Sequence, residues 1–215
     1  MWLQLPASRP RLSLTPPPGR ARFRRPDRKK LIDTVQDAPE TVILAEDEAT
    51  LYLQATTTAV WAPRGATPTV RVDAGRSKTH FYGTLNLQTG AEIVSRSAVM
   101  NSDATAVHLQ AILDTYPDQP ILLLWDRAPW HQGAAVRQVL ADNPRLEVMR
   151  FPTASPDLNP QEHVWKAARR AVSHNHRVPR LPELADQFEV HLRTTTFPSS
   201  FLEKYGYHMV CPMLR

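Results

Sequence analysis

An α/β fold, a mixed sheet flanked by helices, is predicted by three features of this 215-residue chain. Residues 79–87 alternate Phe81, Gly83, Leu85 and Leu87 with His80, Tyr82, Thr84 and Asn86, the period of a half-buried strand. Ile121-Leu-Leu-Leu-Trp125 is a continuous apolar run closed by Asp126, the pattern of a parallel strand buried on both faces. From Ser102 onward, segments with helical spacing alternate with short strand-like runs, which sets helices against the sheet.

Taken in order, residues 1 to about 38 contain Pro6, Pro10, Pro16, Pro17, Pro18 and Pro26 with hardly an apolar cluster. They read as a basic arm or linker with little fixed structure, and the folded domain covers residues 39–215. Thr41-Val-Ile-Leu-Ala45 is β-prone and runs into Glu46-Asp47-Glu48. Leu51, Leu53 and Val60-Trp61 read as its partner strand, with Pro63-Arg-Gly65 as a turn; Trp61 with Arg64 can touch DNA, but an aromatic strand residue is more often core, and Trp61 is assigned to the core. After the alternating strand, Asn86 to Gly90 makes a hairpin turn and Glu92 to Val99 returns antiparallel. Ser102 or Asp103 caps a helix whose Leu109, Ile112, Leu113 and Tyr116 share a face, and Pro117 ends it. Then come the apolar strand, a helix over Ala134 to Ala141, a strand over Leu146 to Phe151, and a proline-started helix from Pro160 to about Ser173. A last helical stretch runs from Glu183 to Thr194.

The 42% apolar content is enough for one core of ordinary size. The lone Cys211 excludes an internal disulfide and a thiolate zinc cluster. No apolar stretch approaches the roughly 18 residues that cross a bilayer, and Met1 to Pro10 has no signal-peptide core. A cytoplasmic chain with no membrane partner is expected. The net charge of +5 is unevenly spread: the first thirty residues carry nine Lys or Arg against Asp27 alone, and the rest of the chain is net acidic. An arm of this kind, Arg24 and Arg25 included, can neutralise phosphates through counterion release, or can be a flank with no partner.

Three acids stand out. Asp126 closes the buried strand at the carboxyl end, where ligands of such sheets gather. Asp47 follows the first strand, and Glu162 falls on the first turn of the helix begun by Asn159-Pro160. Cleavage or transfer at a phosphodiester needs an activated oxygen, a stabilised leaving oxyanion and offset equatorial charge. Two Mg²⁺ ions about 3.5–4 Å apart do all three, and they take hard oxygen ligands. Each acid also has a plainer reading: Asp47 as a charged strand end, Asp126 as a turn cap, and Glu162 as the N3 residue of a capping box. On that helix Val164, Trp165, Ala168, Ala171 and Val172 form an apolar face, with Glu162 at its edge beside Lys166, Arg169 and Ser173. Lys166 and Arg169 can meet DNA phosphates, or Lys166 can pair with Glu162 at i,i+4. His131 can brace a metal site, contact DNA or serve the core.

The runs Glu46-Asp-Glu-Ala-Thr, Trp61-Ala-Pro-Arg-Gly, Asp126-Arg-Ala-Pro-Trp-His131 and Ser155-Pro-Asp-Leu-Asn-Pro-Gln-Glu162-His-Val-Trp-Lys166 resemble the catalytic domain of mariner-like DDE transposases. The closest branch is the bacterial insertion sequence family numbered 630, over about Val42 to Ser173. The resemblance implies a ribonuclease H-like domain in which Asp47, Asp126 and Glu162 are the catalytic acids and hold two Mg²⁺ or Mn²⁺. It implies cleavage of double-stranded DNA at terminal inverted repeats and joining at TA dinucleotides. Water attacks the strand first, and the freed 3′-hydroxyl then attacks target DNA in line. Thirty-five residues lie between Asp126 and Glu162, close to that family's gap. His131 supports the site, Asn159 and Pro160 place Glu162, and a homodimer on nucleoid DNA is implied.

Where that family carries Asn after its second acid, this chain has Arg127, a guanidinium that can contact phosphate or pair with Asp126. Relatives carry paired helix-turn-helix units ahead of the catalytic domain, whereas here the basic arm precedes it. A truncated copy, or the second product of a frameshifted gene with a separate helix-turn-helix polypeptide as partner, is therefore expected. The competing expectation is a catalytically silent transposase remnant that binds DNA or partners with intact transposase. A third is a nuclease of the same fold with no joining step. His174-Asn-His176 lacks the ββα-metal context of nucleases named for that triplet, and the seven glycines form neither a nucleophile elbow nor a phosphate loop.

Overall fold

The computed structural model describes residues 23–66, 69, 77–152 and 155–205. Its centre is strand β1 (Val42–Tyr52), which pairs antiparallel with β2 (Lys78–Asn86) and parallel with β4 (Ile121–Trp125). Strand β3 (Glu92–Ser97) extends the sheet antiparallel beyond β2, and β5 (Leu146–Arg150) extends it parallel beyond β4. The order is β3-β2-β1-β4-β5. Both edges of β1 are thus occupied, and a partner strand at Val60-Trp61 has nowhere to pair. Leu51 instead continues β1, and Trp61 is fully exposed, which corrects its assignment to the core.

Alternation along the central strands separates two cores. Leu44, Ile121, Leu123 and Trp125 face helices α2 (Ser102–Thr115) and α3 (Ala134–Asp142). Ile43, Ala45, Leu122 and Leu124 face the side covered by α4 (Gln161–Ala168) and α5 (Leu181–Thr194). The five apolar residues of β4 are all buried, as expected for a strand covered on both faces. Each such side chain contributes about 1.5–3 kcal/mol of transfer free energy.

A further helix, α1 (Arg25–Asp37), forms where an unstructured arm is expected up to residue 38. Pro26 pre-sets the first turn, and Leu31 and Val35, one turn apart, are both buried in the α4–α5 side core. Phe23 anchors the start, its ring 5.7 Å from Phe151 and 6.2 Å from Phe201. Three apolar side chains at the right spacing are enough when the domain supplies the groove, because tertiary burial rather than composition stabilises most helices. The earlier part of the arm, residues 1–22, and Cys211 lie outside the described residues.

Two local differences have simple causes. The N-cap of α2 is Asn101, whose side chain accepts from Ala104 N at 2.9 Å, so Ser102 and Asp103 fall inside the helix. Helix α4 gives way at Arg169–Ser173 to a π turn, which advances the angular phase. Ser173 is therefore buried while Ala171 is exposed, against the plain helical wheel. No helix among the described residues is long and apolar enough to cross a membrane.

Candidate active site

The register of the central strands brings two of the acids together. Ala45 pairs with Leu124 across β1 and β4; carried two residues further, the same register sets Asp47 beside Asp126. Neighbouring strands lie about 4.8 Å apart, and both acids inherit the α4-facing side of Ala45 and Leu124. Pairing stops at Ala45 and Leu124, and the opening is a cavity of about 350 Å³ lined by Asp47, Asp126, Arg127, Asn159 and Glu162.

Glu162 reaches this cavity from the first turn of α4. Asn159 makes the turn: its Oδ1 accepts from Gln161 N at 3.1 Å, and its Nδ2 donates to Glu46 O at 3.1 Å. One amide thereby caps α4 and ties it to β1. Pro160 follows with φ −61°, suited to a helix start. The capping-box role of Glu162 is not used, because Asn159 N donates to Pro156 O instead.

Charge is distributed unequally among the acids. Burial first, then Glu48, Glu162 and Asp126, push Asp47 up to about 7, against a hydrogen bond donated by Trp165. Trp165 Nε1 lies 3.1 Å from Asp47 Oδ2. Burial would also raise Asp126, but His131, the Ala128 N–H and Arg150 outweigh it and hold that carboxyl below its usual range. Ala128 N donates to Asp126 Oδ1 at 2.8 Å. His131 Nδ1 sits 2.9 Å from the same oxygen as a close ion contact without hydrogen-bond alignment.

Behind Asp126, on the α2–α3 side, lies a network not anticipated from sequence. Glu48 Oε1 accepts from Trp130 Nε1 at 2.7 Å and contacts His131 Nε2 at 2.8 Å. Burial lowers the basicity of His131, but Asp126 and Glu48 together outweigh it and raise its pKa. The imidazole thus bridges two carboxylates, both of which favour its protonated form. Glu46, Glu48 and His131 bring ligand atoms within 4.8 Å of one another. Glu48 is already occupied by two N–H groups, whereas both carboxylate oxygens of Glu46 are buried with no hydrogen-bond partner among the described residues, and burial, then Glu48 and Asp47, push its pKa well up. The signal for it was the Glu46-Asp47-Glu48 alternation, which on a central strand sends the flanking acids to the opposite face from Asp47.

The remaining expected site residues divide. Arg127 does not pair with Asp126; its Nε donates to Phe151 O at 3.2 Å, on the wall of the cavity. Lys166 lies in an adjoining groove that shares Asn159 and Glu162 with the cavity and adds His163, Ser200 and Lys204. Arg169 lines a different depression, with Thr50 and Ser173. Arg24 and Arg25 are exposed at the start of α1 and do not line the cavity.

Hard oxygen donors from three separate elements around one opening fit a divalent cation. Residues 42–185 match the family described as DDE superfamily endonuclease. The chain belongs to the DDE superfamily of endonucleases. DDE domains use divalent metals. The chain is 25% identical over 161 residues to the insertion element IS630 uncharacterized 39 kDa protein of Shigella sonnei. That match covers 74% of this chain and 47% of the relative, so the chain spans about half the length of the curated relative. It is similar to the mariner Mos1 paired-end complex with Mg, with a TM-score of 0.60 and 17% identity over 92% of this chain and 66% of that one. It is also similar to the catalytic domain of Mos1 mariner transposase, with a TM-score of 0.51 and 14% identity over 91% and 94% of the two chains. These likenesses show a ribonuclease H-like fold for this DDE domain.

Proposed function

We propose that this DDE domain cleaves DNA at the ends of an insertion sequence and transfers the freed strand to target DNA, with Asp47, Asp126 and Glu162 as its catalytic acids. The observation that carries the reading is the arrival of these three carboxylates, from two strands and a helix, at one cavity. Two Mg²⁺ or Mn²⁺ ions held there would activate the attacking oxygen and offset charge on the scissile phosphate. Asp126, kept ionised by His131, Ala128 and Arg150, is the acid of fixed charge. Asp47, beside it on β1, and Glu162, from α4 across the opening, complete the donor set. Arg127 is anchored through Nε on the wall of the cavity, and its guanidinium has the fork geometry to meet a phosphate at the rim.

The groove carrying Lys166 and Lys204 opens beside the acids and suits the sugar–phosphate backbone leading to them. Phe201 lines that groove and touches Phe23, so Arg24 and Arg25 stand near its far end as outer backbone contacts, with Arg169 on the flank. Joining two ends in one event requires two such sites, hence two copies of the chain on DNA, with terminal inverted repeats as donor and TA as target. The test is an in vitro cleavage and strand-transfer assay with Mn²⁺ on duplexes bearing the repeats that flank the gene. The wild-type chain should give joined product and Asp126→Asn none. Equal inactivity of both would favour a silent remnant, and cleavage without joined product would favour a plain nuclease.

A further inference from the structure

We propose that Trp165 is a positioning residue that sets the orientation of the Asp47 carboxylate; this rests on the reading of Asp47 as a cation-holding acid. Trp165 is 1% exposed, and its ring stacks on Phe188 at 6.4 Å between centroids with 12° between planes. On a helical wheel it counts as core, and a phenylalanine would fill much of the same space. What distinguishes the indole is its N–H, which ends 3.1 Å from Asp47 Oδ2. A buried indole donor needs a partner, and here the partner is one of the three acids.

The position on the helix gives this contact its consequence. Trp165 lies one turn after Glu162 on α4, so a single rigid element carries one acid and holds a second that belongs to β1. Asn159 ties the same two elements through the backbone carbonyl of Glu46, which fixes where the strand lies but not how the Asp47 side chain is turned. With Oδ2 held by the indole, Oδ1 is the oxygen left to meet a cation.

Space for the indole is made by the strand on the other side. Asp47 is paired across the β1–β2 ladder with Gly83. A Cβ on Gly83 would lie 2.5 Å from Trp165 Cη2, 2.4 Å from Gln161 Nε2 and 2.5 Å from Glu92 Oε1. The missing side chain at Gly83 is thus a matter of room, not of turn geometry. Gly83, Trp165 and Asp47 form one unit spanning β2, α4 and β1.

The decisive comparison is the full chain with Trp165→Phe, and with β-(3-benzothienyl)alanine at position 165, which has the indole's shape without its N–H. Mn²⁺ binding to the DNA-free protein is measured by electron paramagnetic resonance, alongside thermal melting in EDTA. Partners that orient metal ligands typically change affinity 10- to 100-fold, so both replacements should bind Mn²⁺ about tenfold or more weakly. The benzothienyl protein should melt in EDTA within a few degrees of wild type, and high Mn²⁺ should restore its cleavage rate. Wild-type Mn²⁺ affinity in the benzothienyl protein, with binding lost in Asp47→Asn, would overturn the role of Trp165 alone. Wild-type binding in Asp47→Asn as well would overturn the reading of the site and this inference with it.

Discussion

Replacing Asp47 with Asn should make the cation-free protein more stable at pH 8 and leave it little changed at pH 4. Burial, Glu48, Glu162 and Asp126 raise the Asp47 carboxyl from 3.8 to about 7. A group whose folded pKa exceeds its unfolded value contributes stability that is fully present below the unfolded pKa and is lost as pH rises through the folded one. For Asp47 that window runs from about pH 4 to about pH 7. The full shift of about three units corresponds to roughly 4 kcal/mol at 1.36 kcal/mol per unit. Neighbouring acids relax when one charge is removed, so a net gain of about 2–4 kcal/mol above pH 7 is expected. In a chain of this size that is about 4–16 °C in Tm. The assay is calorimetric melting of wild type and Asp47→Asn in EDTA across pH 4–8, repeated with Mg²⁺. The cation should raise the wild-type Tm and leave the variant nearly unmoved. A pH-independent difference between the two proteins, or an Asn variant less stable at pH 8, would show that Asp47 is not pressed against the other acids.

Three further outcomes follow from other parts of the fold. His108 is buried between Thr84 and Ser95, each at 2.8 Å, and burial followed by Arg193 lowers its pKa to about 3. Its contribution is present above the unfolded value of about 6.5 and lost as pH falls toward 3, so the wild-type advantage over His108→Gln in urea melts should shrink from pH 7 to pH 4.5. Gly90 has φ +76°, and a Cβ there would lie 2.9 Å from Phe197 O, so Gly90→Ala should lower the urea midpoint by the equivalent of about 1–3 kcal/mol. Trp61 is fully exposed, and Trp61→Ser should change stability by less than about 0.5 kcal/mol in the same experiment.

The parts of the architecture visible in the sequence are those whose signal is local. The apolar run of β4, the alternation of β2 and the Asn159-Pro160 helix start each depend on a few adjacent residues, and each forms as read. Because Asp126 and Glu162 terminate two of these elements, their meeting was legible once the motifs were joined. The rest depended on neighbours remote in sequence. Helix α1 needs Phe151 and Phe201 to receive Phe23, and nothing near Phe23 signals them. Trp61 is stranded outside because β2 and β4 take both edges of β1, which is a fact of topology. Glu46 and Glu48 look like an ordinary acidic strand end until β1 is known to be covered on both faces. Trp165 counts as apolar on any wheel, although its one polar atom meets Asp47.

The unequal charge of the two strand-borne acids follows from the same pleat that buries them. Trp125 faces the α2–α3 side, and Asp126, one residue later, falls on the α4 side just as β4 ends. The short turn Pro129–Gln132 then folds back and carries His131 to Asp126, while the other ring nitrogen meets Glu48. Asp126 thereby acquires an imidazole neighbour and a backbone donor, because the chain that follows it is free to turn. Asp47 has no such freedom: it lies inside a continuous strand, with Glu46 and Glu48 on the opposite face and a glycine across the ladder. Among the described residues, its side-chain hydrogen bond is the one that α4 can deliver, from Trp165. An acid at a strand end can be neutralised by its own sequence neighbours, whereas an acid inside a strand must wait for something from outside. Asp47 for that reason depends on α4 for its orientation, and under the proposed function it is there that a divalent cation would be held.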